Sequence, residues 1–169
     1  MKKFKINSIT IFSIIIFILI DQFTKLLAIK KLKDNLSFSI IPHIFELQYL
    51  ENRGAAFGIL QGQKYFFVII TVIFLAILFY IYNSIPGESK YVYLRIVMIL
   101  FFSGAIGNFI DRIKNNYVVD FFYFTPVNFP IFNVADIYVT SGAFFLIVLV
   151  LFYYKEDDFA KIFSKKGEL

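Results

Sequence analysis

The chain has 169 residues, 59% of them hydrophobic and 17% charged, with a formal net charge of +5 and a mean hydropathy of +0.74. One compact core cannot hide that apolar excess, so lipid is the natural solvent for much of the surface. Cysteine is absent and His43 is the single histidine, which excludes disulfides, thiol nucleophiles, lipid attached to a cysteine of the chain itself and a histidine-rich metal site.

Four apolar runs follow one another: residues 8–29, 65–82, 91–112 and 137–154. Each is about the 17 to 25 residues that a helix needs to cross a bilayer. Tyrosines sit at ends of the last three runs, at the level where amphipathic rings favour the interface. The fold expected is an all-α membrane protein with four transmembrane helices, forming one membrane-embedded domain over residues 1–169. The opening MKKFK before an apolar stretch imitates a secretory signal peptide. No small-x-small cleavage site follows it, and three further spans come after, so it reads as a retained first helix.

An even number of spans puts both termini on one side. Lys2, Lys3 and Lys5 precede the first run, and Lys155, Lys161, Lys165 and Lys166 follow the last. By the positive-inside rule that side is the cytoplasm. Lysines gathered at the ends of apolar runs, with no basic face on a soluble domain, also argue against nucleic acid as a partner.

The connections are unequal. Residues 83–90, NSIPGESK, read as a short inner turn. Residues 30–64 form a long outer loop, and residues 113–136 a second one. Within the first, FELQYLE sets Phe45, Leu47 and Tyr49 against Glu46, Gln48 and Glu51, the pattern of a half-buried strand. NRGAAFG then reads as a turn, with Gly54 and Gly58 supplying backbone freedom. A small β-sheet resting on the outer membrane surface is expected. His43 reads as a structural residue of this loop, Phe121, Phe122, Tyr123 and Phe124 as interfacial anchors, and the charged tail after Lys155 as frayed.

This topology brings the polar residues of the spans to one depth. Asp21 and Lys25 lie in the outer half of the first span. Asn108, Asp111 and Arg112 lie at the outer end of the third, Asn133 and Asp136 at the outer start of the fourth, and Asp120 just before it. Arg95, near the inner end of the third, is the exception. Asp21 and Lys25 share a helix face at i,i+4, as do Asn108 and Arg112. Asn133 and Asp136 do so at i,i+3 if the helix begins that early. Singly, each group also reads as a helix anchor or an interface marker. Together, three polar faces at one level point to one shared site.

The chemistry available there is that of carboxylates. Neither a glycine-rich phosphate loop nor a serine elbow occurs. Asp120 and Asp136 stand in VVDFFYFTPVNFPIFNVAD with no other charge between them. Two aspartates in hydrogen-bond reach share one proton: the ionised member draws a proton from water, and the protonated one hydrogen-bonds a substrate carbonyl. A small proton-coupled transporter, and a non-enzymatic lipid-binding or assembly protein, are the competing readings of the same charges.

Five segments then carry a resemblance: DQFTK at 21–25, NRGAAFG at 52–58, GAIGNFIDR at 104–112, VVDF at 118–121 and FNVAD at 132–136. In this order against four spans, the sequence resembles the bacterial lipoprotein signal peptidases, the type II signal peptidase family. It departs at Ser103, where glycine is expected before Gly104. The resemblance implies an intramembrane aspartic endopeptidase that removes the signal peptide from diacylglyceryl-modified prolipoproteins, N-terminal to the lipid-bearing cysteine. It implies Asp120 and Asp136 as the catalytic dyad and Asn52, Asn108, Arg112 and Asn133 as substrate-binding groups. Asp21, Lys25 and Gly54 are implied as support. It implies no metal or cofactor, and as partners prolipoprotein substrates and membrane lipid. The chain is expected as a monomer in the bacterial cytoplasmic membrane, with its site near the outer leaflet.

Overall fold

A long apolar run without proline meets all its backbone hydrogen-bonding needs as a helix, which is why lipid-facing segments take that form. The computed structural model describes residues 2–34, 37–54 and 60–163. It contains four long helices: α1 (Lys2–Leu32), α2 (Lys64–Ser84), α3 (Val92–Asn115) and α4 (Val134–Phe152). All four are long and apolar enough to cross a membrane. Phe12, Phe79, Phe144 and Leu151 stand largely exposed on them, a surface suited to lipid.

Helix α3 is the hub and packs against α1, α2 and α4. Its contact with α4 is close because small residues line it. A Cβ on Gly104 would stand 2.5 Å from the Ala135 carbonyl oxygen and 2.6 Å from Val139 Cγ2, and one on Gly107 2.5 Å from Asp21 Oδ2. Ser103 is fully buried in the same row and turns its hydroxyl back to Ile99 O at 2.7 Å. The departure from glycine there thus leaves no orphaned hydroxyl. Away from this seam, Leu78, Leu94, Val97, Met98, Phe101 and Leu149 form the apolar core.

The sheet is three-stranded and antiparallel, in the order β1 (Phe38–Ile41), β2 (Phe45–Asn52), β3 (Val118–Phe124). His43, at φ 61, takes the left-handed conformation in the β1–β2 turn, consistent with its structural reading. In β2 the expected alternation needs one correction. Glu51 falls in phase with Tyr49, whose hydroxyl donates to Glu51 Oε1 at 3.2 Å, and Leu50 is exposed on the same face as Gln48. A register irregularity between Leu47 and Leu50 bends the strand, as bulges do.

Three further expectations change. Residues 113–136 are not simply a loop: Asn116, at φ 66, ends α3 in the left-handed conformation that asparagine tolerates, and the chain turns into β3. Phe121 is buried with Ala28, Leu32 and Val119, and Phe122 stacks on Phe45 at 5.7 Å, so both are packing residues of the sheet. The tail after Lys155 holds a fifth helix, α5 (Glu156–Phe163), with Asp158 and Ile162 buried. Asp158 accepts from Lys155 N at 2.9 Å and from Lys90 Nζ at 2.5 Å, tying the tail to the start of α3. At this end of the bundle Arg95 donates to the Pro86 carbonyl. In the NRGAAFG segment, residues 55–58, Gly58 among them, lie outside the described residues.

Candidate active site

The start of α4 is built by its own side chains. Asn133 is the N-cap: its Oδ1 accepts from Asp136 N at 3.1 Å, and Asp136 Oδ2 accepts from Asn133 N at 3.1 Å. This reciprocal capping box occupies two backbone N–H groups that the helix itself cannot satisfy. It also fixes the Asp136 side chain. The conditional sequence reading therefore needs a small adjustment, since the helix begins one residue after Asn133.

Because the oxygen of Asn133 is held by a backbone donor, its amide nitrogen points elsewhere. It donates to Asp120 Oδ1 at 2.6 Å and to Asn108 Oδ1 at 3.2 Å. The second oxygen of Asp120 accepts from Asn52 Nδ2 at 2.8 Å. Asn52 is oriented by the same logic, its Oδ1 accepting from Gly54 N at 2.9 Å. The antiparallel pairing that sets Leu50 opposite Asp120 brings Asn52 to that carboxylate across the sheet.

Asp136 Oδ1 accepts from Asn108 Nδ2 at 2.8 Å. The oxygen of Asn108 accepts from Lys25 Nζ at 2.8 Å. Lys25 in turn contacts Asp21 Oδ2 at 2.9 Å and Asp111 Oδ2 at 3.1 Å. Arg112 donates to Asn108 O at 3.4 Å and lies 5.0 Å from the Phe67 ring centroid, with no ion-pair partner among the described residues. Asp120, Asp136, Asn52, Asn108, Arg112 and Gly54 all line one cavity of about 480 Å³, walled on its apolar side by Phe129, Ile131 and Ile137. Asn133 lies buried behind the cavity wall.

Asp120 is almost wholly buried. Burial, and then the neighbouring Asp136 charge, push its carboxyl up from about 3.8 to about 7, against the amide donors Asn52 and Asn133, which favour the charged form. Near neutral pH such a group exists in both states, the condition that acid–base work requires.

Two participants escaped the sequence reading. Asp111 is placed by the sequence in the shared polar layer but given no role in the site, yet it is buried and accepts from Gln22 Nε2 at 3.0 Å and Val119 N at 3.1 Å. Gln22 lies inside DQFTK and also donates to Gly107 O at 3.2 Å. A signal existed for Asp111. It stands at i+3 from Asn108 and i+4 from Gly107, on the face that meets Lys25.

With this geometry in view, comparison with known proteins decides the family. A model of the signal peptidase (SPase) II family matches residues 13–152. The chain belongs to the signal peptidase II family. It is 46% identical over 147 residues to the lipoprotein signal peptidase of Caldanaerobacter subterraneus subsp. tengcongensis, covering 86% of this chain and 96% of that one. It is 44% identical over 156 residues to that of Clostridium tetani, covering 89% and 97%. A bacterial membrane enzyme solved by the in meso method at 2.3 Å resolution superposes with a TM-score of 0.76 at 34% identity, over 96% of this chain and 94% of that one. A signal peptidase II is a protease, and four apolar helices embed this one in the membrane. Membership sets aside the transporter and lipid-binding alternatives.

Proposed function

We propose that the chain removes the signal peptide from bacterial prolipoproteins, cleaving N-terminal to a diacylglyceryl-modified cysteine, with Asp120 and Asp136 as the catalytic pair. The observation that carries this reading is the bridge through Asn133: one residue donates to both aspartates, by its amide to Asp120 and by its backbone to Asp136.

Near neutral pH the pair holds one proton. The high proton affinity of Asp120 makes it the member that keeps the proton and donates a hydrogen bond to the scissile carbonyl. Asp136, ionised, takes a proton from water as that water attacks the carbonyl carbon. The tetrahedral intermediate then collapses: the C–N bond breaks, the amine leaves with the proton held by Asp136, and the new carboxyl group forms. Asn52, Asn108 and Asn133 hold the two carboxyl groups in register, and Arg112 offers unused donors to the bound peptide.

The chain acts as a single membrane-embedded unit and a monomer in the cytoplasmic membrane. Both termini are cytoplasmic and the site lies near the outer leaflet, where the diacylglyceryl group of the substrate resides. The sheet rests against that surface, and acyl chains lie along the apolar wall. Turnover of a lipid-modified prolipoprotein against its unlipidated precursor tests the substrate class. The modified form is cleaved at least about tenfold more efficiently if acyl chains hold the peptide at depth, since even part of a buried chain contributes well over 1.4 kcal/mol. Equal cleavage of both forms contradicts the reading.

A further inference from the structure

Asp21, Lys25 and Asp111 are among the most deeply buried polar residues of the chain, and the reaction above uses none of them. Burying three charges between apolar helices is costly unless each is paired and fully hydrogen-bonded. Here they are, and the partners they choose form a pattern.

Lys25 has three N–H donors and no acceptor, and it finds three acceptors: Asp21 Oδ2, Asp111 Oδ2 and Asn108 Oδ1. Each carboxylate spends a further lone pair on one backbone N–H of a different element. Asp21 Oδ1 accepts from Ala135 N at 2.9 Å. Asp111 Oδ2 accepts from Val119 N at 3.1 Å. Ala135 immediately precedes Asp136, and Val119 immediately precedes Asp120. The residues before the two catalytic aspartates are thus each gripped by a carboxylate, and one ammonium joins both grips. Ala135 N is also one of the orphan donors at the positive end of α4, where a carboxylate is favoured.

The third donor acts on the site itself. An asparagine amide can turn over and exchange its oxygen for its nitrogen. With the Lys25 ammonium on its oxygen at 2.8 Å, the shorter of two donors there beside the Asn133 amide at 3.2 Å, Asn108 has one orientation, and that orientation gives its N–H to Asp136. We propose that Asp21, Lys25 and Asp111 are positioning residues: a buried clamp that sets the spacing of the Asp120 and Asp136 backbones and holds the Asn108 amide as a donor to Asp136. This inference rests on the catalytic pair proposed above and assigns the machinery that aligns it.

The test uses the full-length enzyme in detergent micelles and a lipid-modified prolipoprotein substrate. The double variant Lys25→Met/Asp111→Asn removes one charge of each sign, so the net charge of the cluster is unchanged, and Asn still offers an oxygen to Val119 N. The single variant Asp111→Asn keeps the hold of Lys25 on Asn108. In the double variant kcat falls about 100-fold, the scale of an ångström-level misplacement, with KM within about threefold of the parent. Its pH–rate profile is displaced from that of the parent, because Lys25 no longer holds the Asn108 amide beside the catalytic pair. Asp111→Asn loses about tenfold in kcat, with a smaller displacement.

A purely structural role predicts otherwise: activity falls only in proportion to the folded fraction in a thermal melt, and the pH profile stays in place. That outcome in the double variant, or a kcat within threefold of the parent, overturns the clamp. If the double variant does not fold, Asp111→Asn decides, and a parent-like kcat and pH profile in it overturns the clamp. Failure of the underlying reading looks different, because then the parent itself leaves the substrate uncut or Asp120→Asn cuts it as well as the parent.

Discussion

The amide nitrogen of Asn133 stands 2.6 Å from Oδ1 of Asp120, while the amide oxygen of the same residue caps α4 through Asp136 N. One side chain thereby couples the end of a helix to the carboxyl group of a strand. The two roles are separable. Asn133→Ser keeps a capping oxygen but loses the amide donor, so its melting free energy should lie within about 1 kcal/mol of the parent, because serine caps as well as asparagine. Turnover should fall about 100-fold, the scale of a lost aligning contact. Paired melts and steady-state assays on the purified variant check this.

The proton affinity of Asp120 gives a pH prediction with a definite sign. Its carboxyl holds a proton up to about pH 7 in the folded chain, against about 3.8 ordinarily. If the pair works with one proton, kcat/KM falls above about pH 7, approaching tenfold per unit. Between about pH 4 and pH 7 the folded chain binds more protons than the unfolded one, so stability declines as pH rises through that window. Asp120→Asn abolishes this contribution, and the difference in melting temperature between pH 5 and pH 8 should shrink in the variant.

Gly104 tests the close seam between α3 and α4. A methyl group there meets the Ala135 carbonyl oxygen at 2.5 Å, a backbone atom that cannot swing aside and that belongs to the first turn of α4. Gly104→Ala should destabilise the chain by about 1 to 3 kcal/mol, as overpacking does, and lower turnover by displacing Asp136. Ser103→Gly, one residue away, removes only a self-satisfied hydroxyl and should cost less than about 1 kcal/mol. Thermal melts of the two variants side by side give the comparison.

Arg112 rests on the Phe67 ring and opens onto the cavity. Arg112→Ala should raise KM for the lipid-modified substrate about tenfold, the effect of losing one to two kcal/mol of charge-assisted hydrogen bonding. Arg112→Lys should recover part of it. A steady-state titration of substrate separates this effect from one on kcat.

Much of this arrangement was legible in the residues. Apolar runs of bilayer length announce α1 to α4, because in lipid a helix is the way such a run satisfies its backbone. The polar residues of those runs are few, so their common level could be read by topology alone. Strand β3 was not legible, for a physical reason: Val118, Val119, Asp120 and Phe121 are all buried. The run therefore lacks the alternation that marks a half-exposed strand, and its partner Asn52 lies far away in sequence. The same holds for the clamp. Lys25 could be paired with Asp21 by helix spacing, but Asp111 reaches it only through the packing of α3 on α1. The tail helix α5 is short and was hidden by its charges, one of which, Asp158 in its first turn, reaches back to accept from Lys155 N.

The most direct test of the account is cleavage of a lipid-modified prolipoprotein by the parent enzyme and by Asp120→Asn and Asp136→Asn, each purified and shown by its melt to be folded. The account predicts that the parent releases the signal peptide and that each variant loses at least about 1,000-fold in kcat, since Asp120→Asn removes the protonated carboxyl group held against the carbonyl and Asp136→Asn removes the base that carries the proton from water to the amine. Turnover by either folded variant within tenfold of the parent would contradict it.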